Sequence, residues 1–176
     1  MCYDIKSNKW TYIDSMIESS YHASCAIFNG KIVVTGGCLD EKAFALKSNS
    51  SESYCFHENK WTYFRDTLVK RSGHATLTIS NKLFVIGGHY KNDCEVFESI
   101  TNKFVFIENL PKFRRFDAVS FADKIFVFRK VYGNCEKEDR SEKMTFCYNE
   151  KQNVWIQENI LQLKYKVNSC AKISIK

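Results

Sequence analysis

Apolar residues in this chain come in short runs led by lysine, not at helical spacing. One such run is Lys31-Ile32-Val33-Val34-Thr35-Gly36-Gly37. A second is Lys82-Leu83-Phe84-Val85-Ile86-Gly87-Gly88, and a third is Lys124-Ile125-Phe126-Val127-Phe128-Arg129-Lys130. Consecutive apolar positions, rather than alternating ones, predict strands buried on both faces. A shorter apolar stretch precedes each run: Ala23 to Phe28, Ala75 to Ile79 and Ala118 to Phe121. Asn29-Gly30 joins the first pair as a tight hairpin turn, and Ser80-Asn81 and Ala122-Asp123 stand in its place later. The glycine pairs supply backbone angles, or closeness to a neighbouring strand, that a side chain would block. No stretch predicts a helix; Glu158 to Tyr165 forms a turn at most.

A second landmark follows each run. Tyr3, Tyr54, Phe97 and Tyr148 are each followed, seven positions on, by Trp10, Trp61, Phe104 and Trp155. These pairs predict a third strand ending near the first aromatic and a fourth starting at the second. The steps between the second aromatics are 61 − 10 = 51, 104 − 61 = 43 and 155 − 104 = 51 residues. Only the loop after the glycines absorbs the difference: Gly37 to Tyr54 is 17 residues, and Gly88 to Phe97 is 9. The chain is therefore one four-stranded unit copied several times, and antiparallel units of this length are the blades of a β-propeller. The fixed spacing of the aromatics predicts that they fill the space between blades instead of stacking on nucleic-acid bases.

Composition narrows the class. At 44% apolar and 15% aromatic residues the chain is globular and rich in strand formers. No run approaches 18 apolar residues, and Met1-Cys2-Tyr3-Asp4 does not open a secretory signal, so neither a membrane span nor export is expected. None of the eight cysteines forms a Cys-x-x-Cys pair, which points to a reduced, cytoplasmic protein using cysteine as a small hydrophobe. Cys38 and Cys135 lie in loops beside lysines, the setting of a reactive thiol. The net charge of +6 favours an acidic partner, but no basic helix or zinc module accompanies it to make a nucleic-acid binder.

The double glycine after an apolar strand, the aromatic that follows and the tryptophan seven residues later resemble the kelch repeat. Arg71-Ser72-Gly73-His74 resembles the opening of repeats in kelch-like proteins that carry a BTB domain. The third unit departs from the pattern, with Arg129-Lys130 where the glycines stand. The resemblance implies an all-β kelch propeller, here partial. Residues 1–13 would end one blade, 22–64, 74–107 and 117–157 would form three blades, and 166–176 would open another. Kelch propellers typically close with five to seven blades.

No catalytic constellation stands out. His22 and His74 look equivalent but lie nine and eight residues before their lysines, so a ligand ring is unsupported. No serine occupies a Gly-x-Ser-x-Gly elbow, and the glycine pairs do not open helices as phosphate loops do. The expectation is a non-enzyme without cofactor or metal. The candidate surface is the propeller face that gathers the links between blades and the loops after the glycines. It carries Arg71, Arg114 and Arg115, with His89 and Tyr90 beside the second glycine pair. Arginines converging there could grip an acidic peptide by paired hydrogen bonds. The resemblance implies a target-binding propeller of an adaptor whose BTB domain, absent from this chain, binds a cullin ubiquitin ligase. It also offers actin binding or a viral host-interaction protein, and more remotely a kelch-type oxidase or sialate isomerase.

Overall fold

The computed structural model describes residues 1–40, 47–111, 116–129 and 145–158. Fourteen strands and no helix occupy them. Strands β1 (Cys2–Asp4) and β2 (Lys9–Thr11) pair as a two-stranded sheet. Three four-stranded antiparallel sheets follow. Blade 1 contains β3 (Ser24–Phe28), β4 (Lys31–Thr35), β5 (Ser51–Cys55) and β6 (Lys60–Tyr63). Blade 2 contains β7 (Ala75–Ile79), β8 (Lys82–Gly88), β9 (Lys91–Glu98) and β10 (Lys103–Ile107). Blade 3 contains β11 (Phe116–Phe121), β12 (Lys124–Arg129), β13 (Thr145–Asn149) and β14 (Val154–Glu158). Each sheet keeps sequence order, as propeller blades do. The first strands β3, β7 and β11 lie against one another, so they mark the inner side.

The hairpin turns are of the kind the sequence expects. Both central residues have positive φ at Asn29 and Gly30, at Ser80 and Asn81, and at Ala122 and Asp123. That backbone matches the twist of the flanking strands.

Burial on both faces of the lysine-led strands is observed. Along β8, Leu83 and Val85 pack with Phe28 and Val33 of blade 1. Phe84 and Ile86 turn the other way, to Phe116, Ile125, Val127 and Tyr148 of blade 3. The period of two thus divides one strand between two inter-blade cores. Gly88, at φ 146, has Ser72 O 3.1 Å from where a Cβ would sit, so the second glycine lets the link entering its own blade pass close.

The repeated aromatics occupy equivalent places. Tyr3 is the cross-strand partner of Trp10, Tyr54 of Trp61, Phe97 of Phe104 and Tyr148 of Trp155. Their ring centroids lie 5.0, 5.2, 5.3 and 5.1 Å apart. Trp61 and Phe104 are buried and Trp155 half-buried. Trp10 departs from the expected inter-blade role: it is 67% exposed, because no described sheet lies against that side of β1 and β2.

An asparagine two residues before each second aromatic completes the device. Asn8, Asn59, Asn102 and Asn153 all have positive φ. The Tyr54 hydroxyl donates to Asn59 Oδ1 at 2.7 Å, and the Tyr148 hydroxyl to Asn153 Oδ1 at 2.8 Å. Asn59 Oδ1 also accepts the Asp14 N–H at 3.2 Å, while Trp61 Nε1 donates to Asp14 O at 2.9 Å. Asn153 and Trp155 hold Glu108 in the same way, at 2.8 and 2.9 Å. Each pair therefore clips the chain as it leaves the preceding sheet, satisfying both polar groups of one backbone residue.

Candidate functional site

In blades 1 and 2 the antiparallel strand order brings the second-to-third-strand loop and the link out of the fourth strand to the same end. Residues 36–40, 47–50, 64–74 and 89–90 meet there. Tyr21 and Cys38 bridge by two backbone bonds, Tyr21 N–H to Cys38 O at 2.9 Å and Cys38 N–H to Tyr21 O at 2.7 Å. Gly37 N–H donates to Arg71 O at 2.8 Å, Arg71 N–H to Ser48 O at 3.0 Å, and His89 N–H to Ser72 O at 2.8 Å. The loops are thus tied to one another across the blade boundary, and a rigid scaffold carries them.

Arg71 does not belong to the exposed part of this face. Its side chain is fully buried. Nε donates to Val69 O at 3.3 Å, one terminal nitrogen donates to Gly87 O at 2.8 Å and Asp93 O at 2.6 Å, and the other pairs with Glu95. Glu95, also fully buried, accepts the Leu68 N–H at 2.7 Å and the Val69 N–H at 3.1 Å. Four N–H donors of the planar fork are spent on the protein itself and the side chain is closed off from solvent, so Arg71 fastens the link 65–74 to blade 2 and cannot reach out to a ligand. This corrects its assignment as a partner-binding residue. A charged loop residue looks solvated in sequence until its buried acceptor is known.

Glu95 and its counterpart Glu52 were not singled out from the sequence. Glu52 is 2% exposed and accepts the Ile17 N–H at 2.9 Å and the Glu18 N–H at 2.7 Å. Each stands two residues before a repeated aromatic, in Glu52-Ser53-Tyr54 and Glu95-Val96-Phe97. That repeat was the available signal. Blade 3 has Phe146 at the matching place.

Of the other candidates, Arg114 and Arg115 lie outside the described residues, as do 166–176 and Cys135. His89 and Tyr90 are brought together with Lys47. Tyr90 is 87% exposed with φ 61, an unusual backbone for a bulky side chain. Lys47 Nζ donates to His89 O at 2.8 Å and sits 6.0 Å from the Tyr90 ring centroid, within cation–π reach. The His22 ring lies 6.1 Å from the His89 ring. The exposed part of the face is therefore basic and aromatic, built from a loop of blade 1, a hairpin of blade 2 and the link between β2 and β3.

His74 is a framework residue. Thr35 Oγ1 lies 2.8 Å from its Nε2 and 2.7 Å from Thr76 Oγ1, inside the junction of blades 1 and 2. Burial, with the Arg71 charge beside it, pushes the imidazole down to about 3, so His74 stays neutral. His22 does not match it: His22, with φ 55, takes the place of Gly73, with φ 59, and its carbonyl accepts the Gly73 N–H at 2.9 Å. Cys38 is buried, not a surface thiol, and burial pushes the Cys94 thiol up to about 11. Among the described residues no three His, Cys, Asp or Glu side chains gather as a metal site. None of the described strands is accompanied by a helix long and apolar enough to cross a membrane.

The kelch motif family model matches residues 70–111, which run from the Arg71 link through blade 2. Zebrafish (Danio rerio) Kelch-like protein 41b is 34% identical over 86 residues, 49% of this chain and 14% of that protein. Zebrafish Kelch-like protein 26 is 35% identical over 88 residues, again 49% of this chain and 14% of the relative. Human Kelch repeat and BTB domain-containing protein 3 is 25% identical over 130 residues, 63% of this chain and 21% of the relative. The chain thus aligns with only a minor part of each relative's length. The repeated glycine pairs, the aromatic pairs in shared register and the four-stranded antiparallel sheets extend the likeness to kelch-repeat propeller blades beyond the matched residues.

Proposed function

We propose that the chain is a non-catalytic protein-interaction module, the target-recognition propeller of a kelch-like adaptor for a cullin-RING ubiquitin ligase. One observation carries this reading: Lys47, His89 and Tyr90 from two blades meet at the end where the described blade links and second-to-third-strand loops emerge. Rigid blades below and variable loops above are the arrangement of a binding surface. A lysine over an exposed tyrosine, beside two histidine rings, suits a segment bearing carboxylates and an apolar or aromatic side chain. The free cysteines among the described residues fit a reducing, cytoplasmic setting.

The test uses the whole protein in cells. Partners are captured with wild type and with a Lys47→Glu/Tyr90→Ala variant whose melting temperature matches wild type. The expected result is a partner, with an associated cullin, that the variant loses. Retention of every partner by the variant refutes this face. Capture without any cullin refutes the adaptor role while leaving the interaction role standing.

A further inference from the structure

The junctions entering blades 1 and 2 make the same backbone contacts to a buried glutamate, but only the second carries a cation. Counting back 51 positions takes Leu68, Val69, Arg71 and Gly87 to Ile17, Glu18, Ser20 and Gly36; counting back 43 takes Asp93 and Glu95 to Ser50 and Glu52. Every backbone contact of Glu95 is reproduced by Glu52, which accepts the Ile17 and Glu18 N–H groups. The cation is not reproduced. Ser20 stands where Arg71 would, and its hydroxyl reaches only Gly36 O, at 2.8 Å. Among the described residues no lysine, arginine or histidine pairs with the buried Glu52 carboxylate. A cleft lies beside it, whose lining includes Ser20, Gly36, Leu39, Ser48, Ser50 and Glu52.

We propose that this cleft is a guanidinium site, taking an arginine side chain from a bound protein. Its acceptors are those that hold Arg71 one blade on: a buried carboxylate and the carbonyls of Gly36 and Ser50, matching Glu95, Gly87 and Asp93. A buried carboxylate with only two N–H donors gains most from a charged donor that needs little water stripped from it, and guanidinium is the more weakly hydrated of the two side-chain cations. Its planar fork also serves carboxylate and carbonyls together, which an ammonium point charge does not. The inner cleft now has room for about one water molecule, so the ligand must displace the Ser20 hydroxyl and swing Leu39, which is 51% exposed. The inference stands apart from the acidic-segment reading, because it concerns a different part of the face and the opposite charge.

The experiment titrates the full chain with methylguanidinium at millimolar concentration, where general denaturation is negligible, and follows melting temperature and the Ile17 and Glu18 amide NMR signals. Methylammonium at equal ionic strength is the control. The expected result is a saturable rise in melting temperature with shifts at both amides, for methylguanidinium only. Glu52→Gln abolishes the response, and Ser20→Arg raises the melting temperature without ligand and no longer responds. An arginine-containing tripeptide that saturates at lower concentration than the free ion supports a protein source; a lysine tripeptide equal to it overturns the guanidinium assignment. If Glu52→Gln fails to fold, Ser20→Arg and the amide shifts decide. Absence of a saturable response in wild type, or an unchanged response in Ser20→Arg, overturns the proposal.

Discussion

Arg71→Ser is the most informative single change, because the molecule already contains its outcome one blade earlier. The substitution removes a fully buried guanidinium that donates to Val69 O, Gly87 O and Asp93 O and pairs with Glu95. Removing one partner of a buried ion pair costs about 3–5 kcal/mol, since the other charge is left uncompensated. Two features place the expected loss near the lower end. Glu95 keeps the Leu68 and Val69 N–H donors, and a serine can recover one carbonyl, as Ser20 Oγ does with Gly36 O at 2.8 Å. The expected destabilisation is therefore about 3 kcal/mol. Urea denaturation followed by tryptophan fluorescence measures it, with Trp61 buried and Trp155 half-buried in the folded state. A double-mutant cycle with Glu95→Gln should give a coupling energy of about 1–3 kcal/mol. That coupling should hardly change with salt, because both side chains are shielded from solvent. A loss below about 1 kcal/mol, or a coupling near zero, refutes the account of Arg71 as the fastening of link 65–74.

Trp61→Ala should cost about 3–5 kcal/mol and Trp10→Ala well under 1 kcal/mol by the same assay, since Trp61 is 8% and Trp10 67% exposed; equal losses would contradict the placement of the β1–β2 sheet. His74 is held at about 3, below its ordinary 6.5, so the unfolded chain takes up a proton first as pH falls, and stability is lost between those values at about 1.4 kcal/mol per pH unit. Comparing wild type with His74→Gln at pH 7.5 and about 5.5 isolates this slope, and parallel changes in the two proteins would refute it. Gly37→Ala should destabilise by about 1–3 kcal/mol, because φ is +108° and the new Cβ would meet Tyr21 O at 2.9 Å; an unchanged urea midpoint would show that the link can move aside.

The strands were legible in the sequence, and so was their pairing. Consecutive apolar positions in Leu83 to Ile86 reflect one strand serving two cores, and the seven-residue aromatic spacing reflects a hairpin that sets Tyr54 opposite Trp61. Both signals are local, so counting suffices. Arg71 was misread because its role depends on Glu95, 24 positions away and on another strand. In sequence a lone strand glutamate looks solvated, and only its repetition at Glu52 betrays a shared task. Asn59 and Asn153 were likewise visible beside their tryptophans, but the backbone they clip, at Asp14 and Glu108, lies 45 residues away. The meeting of Lys47 with Tyr90 follows from loop geometry that no periodicity encodes.

The central claim is that partners bind the end where the links and long loops emerge. Hydrogen–deuterium exchange of the protein, alone and with a captured partner, tests it most directly. The account predicts new protection in 36–40, 47–50 and 89–93, with none in the opposite turns 29–30, 56–59, 80–81 and 99–102. Protection confined to those turns, or to the outer strands β6, β10 and β14, would contradict it.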